Sequence, residues 1–214
     1  MSEINMWEIE TSYFNQGIRV ICGVDEAGRG PLAGPVTAGC VLLPFDFPVE
    51  ILNDSKKLSE KKREAAFDVI REKSCWGIGI VSEKIIDEIN ILQADFRAMK
   101  IAFDMMRMKL PAWCKKNGLD FEQCKNSMQV IVDGNALPFS DENLDIKAVV
   151  KADSKFPCVM AASILAKVQR DKIMLDYDKL YPDYRYAKHK GYPTPAHKES
   201  RRRLGPSPIP GLSF

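Results

Sequence analysis

The chain has 214 residues, of which 45% are apolar and 28% are charged. This ordinary globular mixture excludes collagen-like, coiled-coil and intrinsically disordered classes, and the length favours one large domain. No stretch approaches the roughly 20 apolar residues that cross a bilayer, so we expect no membrane segment. The net charge of +2 hides an asymmetry, because residues 1–146 hold 17 Lys/Arg against 23 Asp/Glu and residues 147–214 hold 14 against 6. An acidic centre beside a basic surface suits a polyanion held near metal ions, although a solvated basic surface is the plainer interpretation.

Two further features bear on the compartment. The first 14 residues carry three acids and no base, so we expect no signal peptide. The six cysteines form no Cys-x-x-Cys pair and no cluster with histidine. We therefore expect buried or free thiols in a reducing cytoplasm, rather than a zinc site or a disulfide framework.

The first half of the chain contains strand and helix patterns. Residues 19–24 and 35–43 are rich in apolar and β-branched side chains and predict two strands, joined by a Gly/Pro-rich turn. A helix is expected to start after Ser59, which is a good N-cap, and to continue through residue 70. Residues 77–81 predict a third strand, and Ser82 is the expected cap of a further helical stretch.

The second half predicts longer helices. Residues 91–110 form an amphipathic pattern that we expect the following proline to end. The apolar run at 129–132 is typical of a strand buried on both faces, and residues 145–150 predict one more strand. Helices are expected over 158–180 and 196–204. Strands alternating with helices predict a mixed α/β sheet, and residues 205–214, which are uncharged and carry three prolines, predict an extended or loose tail.

Acids follow three of the predicted strands. Asp25 and Glu26 come after Ile-Cys-Gly-Val, Asp133 comes after Gln-Val-Ile-Val, and Asp153 comes after Lys-Ala-Val-Val-Lys-Ala. Ligands bind at strand ends in open α/β sheets, so neighbouring strands would bring these carboxylates together. Oxygen ligands suit Mg²⁺ or Mn²⁺, and a pair of such ions can clamp the attacking water and the leaving oxygen of a phosphodiester displacement. For any single acid, a turn-forming or capping role is the plainer alternative.

The pair Asp25-Glu26 carries a geometric condition. Neighbouring residues on a strand point to opposite faces, so both can face one ion only where the strand has ended or bulged. The glycines of the next segment, Gly28-Arg29-Gly30, favour such an end and let the backbone approach a ligand closely. Its N–H groups could cradle a phosphate or receive a hydroxyl, and Arg29 adds a forked donor. The spacing matches neither a P-loop nor a dinucleotide-binding fingerprint, and a plain β-hairpin loop stays open as the alternative.

Two basic segments are candidate phosphate sites. Ser55 and Lys56 lie just before a predicted helix start, where a phosphate could bind, although a solvated and capped loop is the plainer interpretation. Lys188 and Lys190 alternate with Tyr192, so they could bind phosphates while the tyrosine stacks on a sugar or base. A charged surface is again the alternative.

Taken together, these segments resemble the bacterial-type ribonuclease HII family. The resemblance covers roughly residues 18–206, in the family's order, and rests on Gly23-Val-Asp-Glu-Ala-Gly-Arg-Gly-Pro-Leu-Ala-Gly-Pro-Val36, Asp54-Ser-Lys-Lys-Leu58, Val132-Asp-Gly-Asn135, Lys151-Ala-Asp153, Ala161-Ala-Ser-Ile-Leu-Ala-Lys-Val-Gln-Arg-Asp171 and Lys188-His-Lys-Gly-Tyr-Pro-Thr194.

The resemblance implies an RNase H-like fold, with a central mixed β-sheet flanked by helices. It implies one catalytic domain over residues 1–206, including a C-terminal helical part from about 157, and a short Pro-rich tail at 207–214. It implies hydrolysis of the RNA strand of RNA–DNA hybrids and incision on the 5′ side of single ribonucleotides embedded in duplex DNA. The products would carry 3′-hydroxyl and 5′-phosphate ends, and the cofactor would be Mn²⁺ or Mg²⁺.

The family's functional residues carry over by position. The matches are its four metal-binding acids (Asp25, Glu26, Asp133 and Asp153), the tripeptide that recognises the ribose 2′-hydroxyl (Gly28, Arg29 and Gly30), the junction tyrosine (Tyr192) and two phosphate contacts (Ser55 and Lys56). Asp171 is expected to support the helix and its basic residues. The chain ends without the family's usual basic stretch, which puts any substrate contact by the tail in doubt. Residues 111–145 look like a surface excursion.

Two other function classes remain open. One is a different metal-dependent nuclease on the same kind of fold, such as a junction resolvase or an integrase-like enzyme, and the Gly-Arg-Gly turn beside the acids argues against it. The other is a non-catalytic hybrid-binding protein, which would not need a costly anionic cluster facing phosphates. We expect a cytoplasmic monomer. No motif in the sequence supports a contact with a replication clamp.

Overall fold

The computed structural model describes residues 8–53, 55–205 and 209. Its regular elements, besides three short 3-10 turns, are α1 (Glu8–Asn15), β1 (Val20–Ala27), β2 (Val36–Leu42), α2 (Glu60–Lys73), β3 (Cys75–Val81), α3 (Glu83–Ile89), α4 (Ile91–Lys116), α5 (Phe121–Asn126), β4 (Met128–Asp133), β5 (Asp145–Val149), α6 (Pro157–Leu180), α7 (Tyr186–His189) and α8 (Pro195–Leu204). No helix within these ranges is both long enough and apolar enough to cross a membrane.

The five strands form one mixed sheet in the order β3-β2-β1-β4-β5. β1 pairs antiparallel with β2, which pairs antiparallel with β3. β1 also pairs parallel with β4, which pairs parallel with β5. The mixed α/β sheet expected from the alternation of patterns is confirmed, and so are the flanking helices that the resemblance implies.

Helices cover both faces of this sheet. Cys22 and Val24 of β1 point into a buried cluster with the apolar side of α4. Ile21 and Ile131 point to the opposite face and pack with the start of α6. α2 packs against α6 in a further buried cluster on that face. This alternation along β1 decides which face each of the acids after Val24 occupies.

Close packing of α6 depends on a missing side chain in β1. A Cβ built at Gly23 would collide with the backbone of Cys158 and Val159. α6 can therefore lie directly on the sheet, where its first turns run beside the carboxyl end of β1. α6 therefore places residues from the C-terminal half of the chain at this end of β1.

The prediction that a proline ends the fourth helix is wrong. α4 continues through Pro111 to Lys116. Leu110, Trp113 and Cys114 are buried, and Trp113 Nε1 donates a hydrogen bond to the carbonyl of Lys73 at 3.2 Å. Packing of this last apolar stretch outweighs the lost backbone hydrogen bond at the proline.

Several local predictions are confirmed. The Ser59 side chain accepts from the backbone N–H of Lys62 at 3.4 Å and caps α2. All six cysteines are free and buried.

The segment at 111–145, predicted to be a surface excursion, is irregular only in part, because it contains the end of α4, all of α5 and β4. The predicted tail at 207–214 lies outside the described residues except for Ile209, which packs against Met174 and Tyr184.

Candidate functional site

Three carboxylates converge at one edge of the sheet. Asp25 follows Val24 and Asp133 follows Val132, and these two valines are register partners on adjacent parallel strands. Asp153 lies in a short 3-10 turn between β5 and α6. One carboxylate oxygen from each of the three acids lies within 4.8 Å of the others. This arrangement of oxygens could hold a divalent cation.

Backbone hydrogen bonds fix two of these side chains. Asp25 Oδ1 accepts from the backbone N–H of Glu26 at 2.8 Å. Asp133 Oδ1 accepts from the backbone N–H of Ala152 at 2.6 Å. The second bond ties the end of β4 to the turn that carries Asp153, so the two acids keep their separation.

The electrostatics of the cluster favour a cation. Burial, followed by the charges of Glu26 and Asp133, raises the pKa of Asp25 well above its usual range. Burial also raises the pKa of Glu26, and the Arg29 guanidinium opposes that rise. Carboxylates held this close repel one another, and a divalent cation between them would remove both the repulsion and part of the burial cost.

Glu26 does not belong to the group of three carboxylates. β1 neither ends nor bulges at Asp25 but continues to Ala27, so the two neighbouring acids point to opposite faces. Asp25 lies toward Ser163 of α6. Glu26 lies toward Arg29, with 3.6 Å between Oε1 and Nη1. Both acids nevertheless line one cleft, and the charge of Glu26 raises the pKa of Asp25, so the assignment of Glu26 as a metal ligand stays a prediction.

Most of the predicted site residues line a single cleft. Its empty volume is about 670 Å³. The walls are formed by the acids Asp25, Glu26, Asp133 and Asp153, by the turn residues Ala27, Gly28, Arg29 and Gly30, and by Ser55, Lys56, Ser163, Lys167 and Tyr192. Segments far apart in the sequence, which were proposed separately as phosphate or sugar contacts, thus face the same space.

Two lining residues were not among the predicted site residues. Ser163 and Lys167 lie one turn apart on α6, the spacing that puts two side chains on one helix face. The Ser163 hydroxyl is 2.9 Å from the hydroxyl of Ser55. Lys167 Nζ is 2.7 Å from Asp171 Oδ1 and 5.6 Å from the centre of the Tyr192 ring. The i, i+4 spacing was a signal in the sequence, but nothing local showed that this face meets the acids.

Two of the predicted phosphate contacts lie outside the cleft lining. Lys188 is exposed at the surface and Lys190 is partly buried. The backbone carbonyl of Lys190 accepts a hydrogen bond from Arg170 Nη1 at 2.8 Å. Neither lysine lines the cleft around the acids, so a phosphate bound by their side chains would lie away from the carboxylates.

A buried arginine joins the two loops that flank the cleft. Arg170 donates from Nε to the carbonyl of Pro35 at 3.0 Å, from Nη2 to Ala33 at 2.9 Å and from Nη1 to Lys190 at 2.8 Å. Its guanidinium carbon lies 5.9 Å from the centre of the Tyr192 ring. The glycine-rich turn after β1 and the Tyr192 loop therefore share one anchor.

Two stacked histidines support the Tyr192 loop from the other side. The rings of His189 and His197 are 4.3 Å apart and nearly parallel. His189 Nδ1 accepts from the backbone N–H of Gly191 at 3.2 Å, and its Nε2 donates to the carbonyl of Tyr184 at 2.8 Å. His197 Nδ1 donates to the carbonyl of Tyr192 at 3.0 Å. Burial lowers the pKa of both rings and so favours their neutral forms, and the His189 Nδ1 acceptor requires a neutral ring.

A buried acid from α4 reaches the opposite side of the glycine-rich turn. Asp95 Oδ2 lies 3.6 Å from Arg29 Nε. Burial, helped by the charge of Glu26 and opposed by that of Arg29, raises the pKa of Asp95 to about 8. No motif pointed to this residue.

Known proteins share both this sequence and this fold. A family model described as ribonuclease HII matches residues 22–212. The ribonuclease HII of Treponema denticola is 51% identical over 197 residues, covering 91% of this chain and 98% of that protein. The crystal structure of ribonuclease H2 from Pyrococcus horikoshii matches with a TM-score of 0.63 and 26% identity, covering 92% of this chain and 94% of that one.

A more distant structure is that of Bst ribonuclease HIII in complex with Mn²⁺, which is 14% identical and matches with a TM-score of 0.59. The match covers 91% of this chain and 72% of the ribonuclease HIII chain. At this identity the likeness shows a shared fold alone. The family match spans all of the segments that line the cleft. The chain therefore belongs to the ribonuclease HII family and is an endonuclease of the ribonuclease H class with an RNase H-like fold.

Proposed function

We propose that this protein hydrolyses the RNA strand of RNA–DNA hybrids and incises duplex DNA on the 5′ side of single embedded ribonucleotides, leaving 3′-hydroxyl and 5′-phosphate ends. One observation carries the proposal. The carboxylates of Asp25, Asp133 and Asp153 share a cleft with the Gly28-Arg29-Gly30 turn, so a scissile phosphate and its neighbouring ribose could be held together.

The donor set of the cleft fits Mg²⁺ or Mn²⁺. Asp25, Asp133 and Asp153 offer oxygen ligands within 4.8 Å of one another, which is the chemistry that hard divalent ions prefer. Glu26, which lines the same cleft, is the fourth proposed ligand and would reach a second ion from its own side of β1. Two such ions, when bound, supply activation of the attacking water and stabilisation of charge on the leaving 3′ oxygen.

The other lining residues suit a nucleic-acid backbone. Lys56 and Lys167 place positive charge on the rim, and the hydroxyls of Ser55 and Ser163 can donate to phosphate oxygens. Their role is to hold the scissile phosphate against the carboxylates. Positive charge is needed there because the acids alone would repel a phosphodiester.

Selection of ribose would come from the turn and the tyrosine. Gly30 lies next to Tyr192, since a Cβ at Gly30 would be 3.9 Å from the ring. Backbone N–H and carbonyl groups of the turn can bond a 2′-hydroxyl, and this is the group that distinguishes RNA from DNA. The Tyr192 ring, 39% exposed, can stack on the adjoining sugar or base.

The deciding experiment uses a labelled duplex with one embedded ribonucleotide beside an all-DNA twin. We expect incision 5′ of the ribonucleotide with Mg²⁺ or Mn²⁺, none with EDTA, and none in the twin. Asp133→Asn should abolish cleavage without unfolding the protein. Asp145→Asn is the matched control, because that acid lies at the other end of β5 and pairs with Lys147 at 3.1 Å.

Each failure has a different meaning. Cleavage of branched all-DNA substrates in preference to the ribonucleotide duplex would instead indicate another nuclease on this fold. Binding of the duplex without cleavage by either metal would refute the enzymatic proposal. Full activity of Asp133→Asn would show that the carboxylate cluster is not the reaction centre.

A further inference from the structure

Asp95 is a buried acid whose position is hard to explain by stability. It is 0% exposed and belongs to the second turn of α4, with the buried Ala94, Ala98 and Met99 beside it. Within the described part of the chain, neither carboxylate oxygen accepts a hydrogen bond. A buried carboxylate without hydrogen bonds is strongly unfavourable, and the dipole of α4 offsets only a small part of that cost.

Among the described residues, Asp95 forms an ion pair with Arg29 alone, which is the charged residue of the glycine-rich turn. Asp95 Oδ2 is 3.6 Å from Nε of Arg29, and Glu26 Oε1 is 3.6 Å from Nη1. The guanidinium thus lies between two carboxylates, one from β1 and one from α4. The Arg29 side chain is nevertheless 49% exposed, and Arg29 lines the cleft.

We propose that Asp95 is a positioning residue, which attracts the Arg29 guanidinium from the α4 side so that it stays at the mouth of the cleft and faces the substrate backbone. This inference rests on the proposed function, in which Arg29 contacts the substrate. With Glu26 as its single partner, the arginine could pivot about one ion pair toward solvent or toward the carboxylates. The charge of Asp95 beside Nε opposes that movement, because it attracts the guanidinium from a second side.

This positioning depends on the charge of Asp95 and not on its volume, so a neutral residue of the same shape should remove it.

The test is a double-mutant cycle with Asp95→Asn, Arg29→Ala and the double variant, all assayed at pH 8.5. The substrate is the duplex with one ribonucleotide, and binding of the same duplex without metal is followed by fluorescence anisotropy. We expect Asp95→Asn to raise both KM and the Kd by about tenfold, with kcat changed by less than about twofold, as for contacting residues that couple. In the Arg29→Ala background, Asp95→Asn should have no further effect.

Stability separates this role from a structural one. Asp95→Asn should unfold at the same or a higher denaturant concentration than wild type, because it removes a buried charge that accepts no hydrogen bond from the described residues. Asp95→Ala, a second neutral variant, should give the same KM even if its cavity lowers stability. Asp104→Asn on the same helix, where the acid is exposed and pairs with Lys100 at 2.6 Å, is the control that should change neither KM nor Kd.

The outcomes distinguish this inference from the function on which it rests. A wild-type KM and Kd in Asp95→Asn, with an impaired Arg29→Ala, would overturn the inference alone. Effects of the two variants that multiply would also overturn it, since the residues would then act independently. Loss of kcat together with stability would assign a merely structural role. If Arg29→Ala binds and cleaves like wild type, the substrate role of Arg29 fails and the inference fails with it.

Discussion

Replacement of Arg170 by methionine should cost much of the protein's stability and also disturb substrate binding. Methionine keeps most of the buried volume but removes three donors, which leaves the carbonyls of Ala33, Pro35 and Lys190 without their partners. Each orphaned buried acceptor costs about 1–3 kcal/mol, while removal of the buried guanidinium recovers part of the total. The expected net loss is about 3–5 kcal/mol, a large share of the 5–15 kcal/mol typical of a domain.

Urea unfolding followed by circular dichroism measures this loss. Arg170→Lys keeps the charge but not the planar fork, so it should lose an intermediate amount. Arg203→Met on α8, where the arginine is exposed, is the control for removal of a charge. For variants that stay folded, KM should rise, because the turn and the Tyr192 loop both depend on this anchor. A loss below about 1 kcal/mol in Arg170→Met would refute the reasoning.

Three further outcomes are expected. Mg²⁺ or Mn²⁺ should raise the midpoint of thermal unfolding by an amount equivalent to about 2.7 kcal/mol at a hundredfold excess over Kd. The rise should be larger at pH 8 than at pH 6, because the pKa of Asp25 is raised and protons compete with the metal for its carboxylate. An equal rise in Asp133→Asn would contradict this prediction. The lowered pKa of His197 means that the unfolded chain binds more protons than the folded one just below pH 6.5, so stability should fall as the pH falls through that range. His197→Asn, which can keep the donor to Tyr192, should show a shallower fall in urea titrations at pH 7.5 and 5.5, and an unchanged slope would count against the histidine. Pro111→Ala should raise the free energy of unfolding by about 1–3 kcal/mol in the same assay, because it removes an exposed proline from the interior of α4. An unchanged free energy of unfolding would show that the proline does not destabilise this helix.

The sequence by itself determined the elements and the chemistry of the site. Strand and helix patterns are local, and the acids at the ends of β1 and β4 follow from residue order alone. Since adjacent parallel strands bring their carboxyl ends to one edge, the convergence of Asp25 and Asp133 was predictable before any coordinates. The position of the Gly28-Arg29-Gly30 turn beside these carboxylates was also predictable, because the turn closely follows Asp25 in the sequence.

Only the tertiary structure decided which residues complete the site and which lie outside it. Period-two alternation raised the question of how Asp25 and Glu26 share a site, and the tertiary structure brings both acids to one cleft. Ser163 and Lys167 line the cleft and Asp95 lies beside Arg29 because α6 and α4 pack on opposite faces of the sheet, a relation between distant segments that no local pattern encodes. Local propensity likewise gave the wrong end for α4, since the burial of Trp113 after the proline depends on long-range packing. Short-range preferences fix where elements begin, but contacts across the sheet determine what each side chain meets.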